Sequence, residues 1–260
     1  MARRRIAGLR GSVPGATRGI GRALAETLVR AGARLVVVGR RQERLEGLAA
    51  SLADAPGQIV PLAGDVTDPQ VRRAVIERAR ESFGGLDLLV NNAGSGAMGR
   101  FDEADEQRLR NVMEVNFFAP AELMRDAVPL LAAGNRPMIV NVDSVLAHRG
   151  VPRCAEYCAS KFALRGLSES LRAELSQQGI DVLCVSPART DTEFFENVVN
   201  PQQTHWPTVR GVPAEKVARQ IVKAMRRGRH ELVVPASGKL LVWSNRLFPR
   251  IVDFATSRLR

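Results

Sequence analysis

The sequence predicts an α/β protein, one domain built on a doubly wound parallel sheet with helices on both faces. Short apolar runs rich in β-branched residues stand at "RLVVVG" (34–39), "IVPLAG" (59–64), "LDLLVNN" (86–92), "MIVNV" (138–142), "DVLCVS" (181–186) and "ELVVP" (231–235). Amphipathic segments of helical length separate them, at 19–31, 68–83, 104–131, 155–178 and 213–227. Such alternation means strands buried on both faces and crossover helices. No repeat, low-complexity linker or composition shift divides residues 1–260, so a single domain is expected.

Ligands of such sheets bind outside the carboxyl ends of the strands, so the residues after each run carry the functional information. The first run is weak. "GSVPGATRGIG" (11–21) offers Gly11 and Ser12, poor strand formers, and Pro14, which has no N–H. A short or irregular first strand is expected, with Ile6, Leu9 and Val13 supplying apolar side chains. Gly15, Gly19 and Gly21 then run into helical "IGRALAETLVRAG". Glycines let a backbone turn tightly, and the helix N-terminus offers free N–H groups to a phosphate. By itself this also fits an ordinary strand-to-helix turn.

After the second run come Gly39, Arg40 and Arg41, where an NAD-specific fold usually has an acid for the ribose 2′-hydroxyl. Forked guanidinium groups suit a 2′-phosphate, and with Arg18 in the glycine loop they favour NADP over NAD. The plain alternative is a solvated start to "RRQERLEGLAASL". The third and fourth runs end in Asp65-Val66 and in Asn91-Asn92-Ala93-Gly94. Ser144 follows the fifth, and thirteen residues later comes "YCASK". Tyr157 and Lys161 stand at i and i+4, so they share a helix face. An ammonium beside a phenol favours phenolate and lowers its pKa from about 10, which suits Tyr157 to acid–base work. Ser144 can hydrogen-bond the oxygen that gains or loses the proton. Tyr157 is the only tyrosine in the chain.

Together these residues resemble the short-chain dehydrogenase/reductase family, in its single-domain branch with a Rossmann-type sheet. "GATRGIG", "GDV", "NNAG", Asn116 in "VMEVNFFAP", Ser144, "YCASK" and "SPARTDT" appear in family order over nearly the whole chain. The resemblance implies an NADP(H)-dependent oxidoreductase interconverting a carbonyl and an alcohol. Tyr157 is then the general acid or base, Lys161 its partner and ribose ligand, and Ser144 the holder of the substrate oxygen. Asn116 anchors a water in a proton relay. Gly15, Thr17, Arg18, Gly19, Ile20 and Gly21 line the pyrophosphate, and Arg40 and Arg41 the 2′-phosphate. Asp65 and Val66 frame the adenine, Asn91, Ala93 and Gly94 its ribose, and Pro187, Thr190 and Thr192 the carboxamide end. Four departures stand out: Pro14 for a common Thr, Asp143 beside Ser144, Ala188 for a Gly, and a C-terminus without a glycine-rich ending.

Net charge is +11 with pI near 10.9, and Lys161, Lys216, Lys223 and Lys239 are the only lysines among 38 basic residues. The arginines are scattered and few aromatics accompany them, so solvated helix faces account for the charge better than nucleic acid. A cofactor-binding regulatory relative with little turnover is the other alternative to an enzyme. Cys154 and Cys158, with Glu156 and His148 nearby, are expected to pack around Tyr157, and no metal is expected. His148, His205 and His230 form no triad with Ser144, and no G-x-S-x-G elbow exists. An odd three cysteines suggest reduced thiols and a cytoplasmic location. The basic start has no apolar stretch after it and does not read as a secretory leader. Residues 193–212, long for a connection, are expected to form a substrate lid. The extension 236–260, apolar and basic over 239–257, is expected to pack on its own domain or a neighbouring subunit of a homodimer or homotetramer, in preference to a membrane surface.

Overall fold

The computed structural model describes residues 4–194 and 211–258. In chain order the elements are β1 (Arg10–Pro14), α1 (Gly19–Arg30), β2 (Arg34–Gly39), α2 (Gln42–Ala50), β3 (Gln58–Ala63), α3 (Pro69–Phe83) and β4 (Leu88–Asn91). There follow α4 (Glu106–Met113), α5 (Ala119–Ala132), β5 (Met138–Val142), α6 (Ala155–Glu174), β6 (Asp181–Pro187), β7 (Thr190–Asp191), β8 (Val212–Pro213), α7 (Ala214–Arg226), β9 (Glu231–Val234), α8 (Ala236–Leu247) and α9 (Pro249–Ser257). Seven strands form one parallel sheet in the order β3-β2-β1-β4-β5-β6-β9. The sequence runs outward from β1 to β3, then returns to β4 on the other side of β1. That reversal opens the crevice where ligands of such sheets bind.

Strand residues alternate between the two faces. Leu35 and Val37 pack with Leu24, Leu28 and Ile221 under α1 and α7, while Val36 and Val38 pack with Val75, Leu123 and Leu131 under α3 and α5. Two fully covered faces explain why the strands read as unbroken apolar runs.

β1 corrects the expectation of a short or irregular first strand. It pairs in parallel register with β2 over all five residues and with β4 at Gly11 and Ser12. The small residues suit a tight central position. A Cβ on Gly11 would come within 2.9 Å of Leu35 Cδ2 and 3.2 Å of Leu88 Cβ. Pro14 is the last strand residue, where its missing donor costs least, and the N–H groups of Gly15 and Ala16 both reach Val38 O. Ile6 and Leu9 precede the strand and are buried in the core beside it.

The helix expected over 104–131 is interrupted. Glu114–Phe118 form a π-helical turn between α4 and α5. Pro120 has no N–H to give the carbonyl four residues before it, so the hydrogen-bond ladder shifts there. Past β6, the pairing of β7 with β8 and the bond from Gly211 N to Asp191 Oδ1 (2.9 Å) join the two ends of the segment expected to be a lid. Most of that segment, including Phe195 and Trp206, lies outside the described residues. No helix among the described residues is long and apolar enough to cross a membrane.

Candidate active site

The strand ends enclose a cavity of about 350 Å³ at the reversal point. Of the residues singled out in the sequence, all but Gly21, Asn91 and Asn116 line it.

At one end the loop after β1 turns at Gly15, whose φ of +78° favours glycine and where a Cβ would meet Ala93 Cα at 2.8 Å. Asn92 Nδ2 donates to Gly15 O (3.0 Å) and so ties this loop to the end of β4. Gly21 packs inside the turn against Asn92 and Gly15. Arg18 is the N-cap of α1, yet among the described residues no side chain caps the helix, and its first turn has no acid. The free N–H groups and positive dipole end therefore remain open to an anion, so the loop fits a pyrophosphate.

Beside it stand four guanidinium groups. Arg40 and Arg41 line the cavity, and Arg44 joins them from the first turn of α2. Arg44 Nη1 holds Glu193 Oε2 at 2.8 Å, and Arg18 Nη1 donates to Glu193 O at 2.9 Å. Arg40 Nη1 is 3.8 Å from Asp65 Oδ2. Burial and then the positive charges of Arg41, Arg44 and Arg40 lower the Arg18 pKa, with Glu193 opposing. Arg44 was not among the expected site residues, although it stands four positions after Arg40 in "RRQER".

Asn91 is corrected. Its side chain is buried in the sheet and donates to Asn141 Oδ1 (2.7 Å), and Asn141 Nδ2 donates in turn to Ser168 Oγ (2.7 Å). Side chains alternate along a strand, so it is Asn92 that faces the cavity.

At the other end, α6 places Tyr157 and Lys161 one turn apart on the cavity wall. Ser144, at the end of β5, caps the following 3₁₀ turn by accepting from Leu146 N (3.1 Å). Burial lowers the Lys161 ammonium to about 8, against the opposing charge of Asp143. Its Nζ donates to Val142 O (3.1 Å) and lies 5.8 Å from the centre of the Tyr157 ring. The expected lowering of the phenol pKa is absent in this arrangement. Burial pushes Tyr157 above its ordinary value, and the Ser144 hydroxyl pulls the other way. Asn116, fully buried in the π turn, accepts from Ser95 N (2.9 Å) and donates to Ser95 O and Ser160 Oγ (each 2.9 Å). Ser160 Oγ donates to Tyr157 O (2.8 Å), so Asn116 braces the helix that carries the tyrosine.

Asp143 lines the same end of the cavity. Its carboxylate is buried beside the Ser186 hydroxyl, and among the described residues its nearest cation is Arg165 Nη1 at 3.7 Å. Burial pushes its carboxyl up to about 7, opposed by the Ser186 hydroxyl, Arg165 and Lys161. The Ser186 hydroxyl itself sits 3.0 Å from His148 Nε2. Met98, Leu146, Cys154 and Phe194 supply an apolar wall, with the Phe194 ring 5.9 Å from that of Tyr157. The residues considered for a metal part company: Glu156 pairs with buried Arg108 (2.9 Å to Nε), and Cys154 and Cys158 pack with Met98.

The profile of the short chain dehydrogenase family matches residues 12–203. The chain belongs to the short-chain dehydrogenase/reductase family. It is an oxidoreductase of that family. Its relatives include dehydrogenase/reductase SDR family member 7B of Bos taurus, 30% identical over 85% of this chain and 72% of that protein. The 3beta-hydroxysteroid dehydrogenase of Mediterraneibacter gnavus is 36% identical over 71% of this chain and 67% of that protein. A short chain dehydrogenase from Burkholderia cenocepacia, solved in complex with NADP, superposes with a TM-score of 0.82 at 27% identity, over 97% of this chain and 99% of that one. A short chain dehydrogenase/reductase from Burkholderia phymatum, solved with NAD, gives 0.85 at 24% identity over 97% and 96%, and shows the fold alone.

Proposed function

We propose that this family member is an NADP(H)-dependent oxidoreductase that interconverts a hydrophobic carbonyl compound and its alcohol, with Tyr157 as the general acid and base. The observation that carries this reading is that Ser144, Tyr157, Lys161 and the open glycine loop converge on one cavity. A nicotinamide held there would supply the hydride. Gly15, Thr17, Gly19, Ile20 and the free N–H groups of α1 hold its pyrophosphate. Arg18, Arg40, Arg41 and Arg44 receive the 2′-phosphate, and the match to a relative solved with NADP supports that choice. Asp65, Val66, Ala93 and Gly94 flank the adenosine, and Pro187, Thr190 and Thr192 the carboxamide.

The protein's own part is the proton. A phenol with a raised pKa holds its proton at neutral pH, which suits Tyr157 Oη to deliver it to the substrate oxygen during reduction. Ser144 orients that oxygen. Lys161 would hold the cofactor's ribose, and Asn116 keeps α6 and the Ser95 loop in register. The wall of Met98, Leu146, Cys154 and Phe194 favours an apolar substrate, and the likeness to a hydroxysteroid dehydrogenase points the same way. Three buried free thiols suit a reducing cytoplasm. Exposed Leu109, Phe118 and Phe162 suit a homodimer or homotetramer.

The test follows consumption of NADPH and of NADH by absorbance with a panel of apolar ketones. Turnover is expected with NADPH on at least one bulky ketone. Turnover only with NADH, or none with any carbonyl, would overturn the reading.

A further inference from the structure

The C-terminal helix pair α8 and α9 is built with large apolar side chains outward. Gly238, Val242, Val252 and Thr256 are buried against the domain, and Arg149 ties both helices down. Its guanidinium donates to Asn245 Oδ1 (3.1 Å), Thr256 Oγ1 (3.0 Å) and Asp253 Oδ1 (2.5 Å), and Asn245 Nδ2 donates to His148 O (2.9 Å). The other face carries Leu240, Trp243 and Leu247 at helical spacing on α8, Phe248 at the junction, and Ile251 and Phe254 on α9. Each of these six is more than half exposed. A packed domain does not spend that much large apolar surface on water without a partner.

The charge around this face is of one sign. Residues 236–260 hold Lys239, Arg246, Arg250, Arg258 and Arg260 against one acid, Asp253, which Arg149 already holds. Among the described residues no carboxylate pairs with Lys239, Arg246, Arg250 or Arg258. Arg246 lies 5.8 Å from the Trp243 ring centre and Arg258 4.0 Å from that of Phe254. Cations beside the aromatics of an apolar face match the boundary of a bilayer, where rings enter the interface and guanidinium groups reach the headgroups. A second copy of this chain fits less well, because a two-fold contact of this face with itself would bring the cations together. Twelve residues of α8 span about 18 Å, too short to cross a bilayer, so the helix pair can only lie along one.

We propose that the outer face of α8 and α9 docks this protein on the surface of a membrane containing anionic lipid. Apolar side chains supply the insertion and the basic rim selects the headgroup charge. The proposal does not depend on the catalytic reading, and its test needs no activity.

The full chain is sedimented with vesicles of phosphatidylcholine alone and of an equal mixture with phosphatidylglycerol. Binding is expected to the mixed vesicles, weakening as salt rises. Trp243 emission, read in a Trp206→Phe background, should shift to the blue on binding. Leu247→Ser with Phe254→Ser should abolish binding while the thermal melt stays cooperative, and Arg246→Gln or Arg250→Gln should each weaken it roughly fivefold. Absence of binding to the mixed vesicles overturns the proposal, as does binding that survives the double serine variant. If that variant instead converts an oligomer to a smaller species and the wild type ignores vesicles, the face belongs to a second copy and the proposal falls.

Discussion

At the Arg18 end of the cavity the charged groups stand in or near solvent, with Glu193 and Asp65 as their anionic partners, whereas at the Lys161 end Lys161 and Asn116 are buried and tied to fixed partners. Arg40 is 75% exposed, while Asn116 is fully buried. The contrast follows from what each end must do. A guanidinium in water costs little to maintain and gains most when a phosphate arrives. A proton donor must keep one position through the reaction, and burial with hydrogen-bonded support fixes it.

The largest effect expected from this contrast is at the buried end. Tyr157→Phe should lower kcat about a hundredfold or more while leaving NADPH affinity nearly unchanged. A variant that turns over like wild type would remove the division of labour between the two ends. At the exposed end, Arg40→Ala or Arg44→Ala should each weaken NADPH roughly ten- to a hundredfold and leave NADH unaffected. If both cofactors weaken alike, these arginines contact something other than the 2′-phosphate.

Asp143 sharpens the comparison through pH. Its carboxyl ionises near 3.8 in the unfolded chain and near 7 in the folded protein. This group therefore favours the folded state below about pH 4, and that contribution is lost as pH rises towards 7. Asp143→Asn does not undergo this loss, so its Tm should gain on wild type between those limits. A constant Tm difference over the range would show that Asp143 is ionised throughout. The smallest effect is expected from Pro14→Thr. Because β1 is already fully paired with β2, Tm should move by no more than a few degrees, about 1 kcal/mol. A larger gain would mean that Pro14 strains the strand after all.

Much of this was legible in the sequence because parallel strands must be apolar throughout and their ends must carry the site. Burial on both faces wrote β2, β5 and β6 as plain runs, and Ser144, Tyr157 and Lys161 followed at fixed spacing. Where the reading failed, the missing information was directional. Asn91 and Asn92 are neighbours of one residue type, and only strand parity decides which one faces the cavity. Arg44 reads as one more arginine in a solvated helix until α2 turns it towards Glu193. The apolar stripe on α8 has the same periodicity whether it faces the core or solvent. Composition alone made β1 look weak, since the tight approach of Leu35 and Leu88 that calls for Gly11 appears only in the folded sheet.

Titration of the wild-type protein by calorimetry, with NADPH and NADH in the same buffer, tests the account most directly. NADPH should bind at least tenfold more tightly, consistent with one or more guanidinium contacts to its extra phosphate. Equal affinities, or no heat from either cofactor with a folded sample, would contradict it.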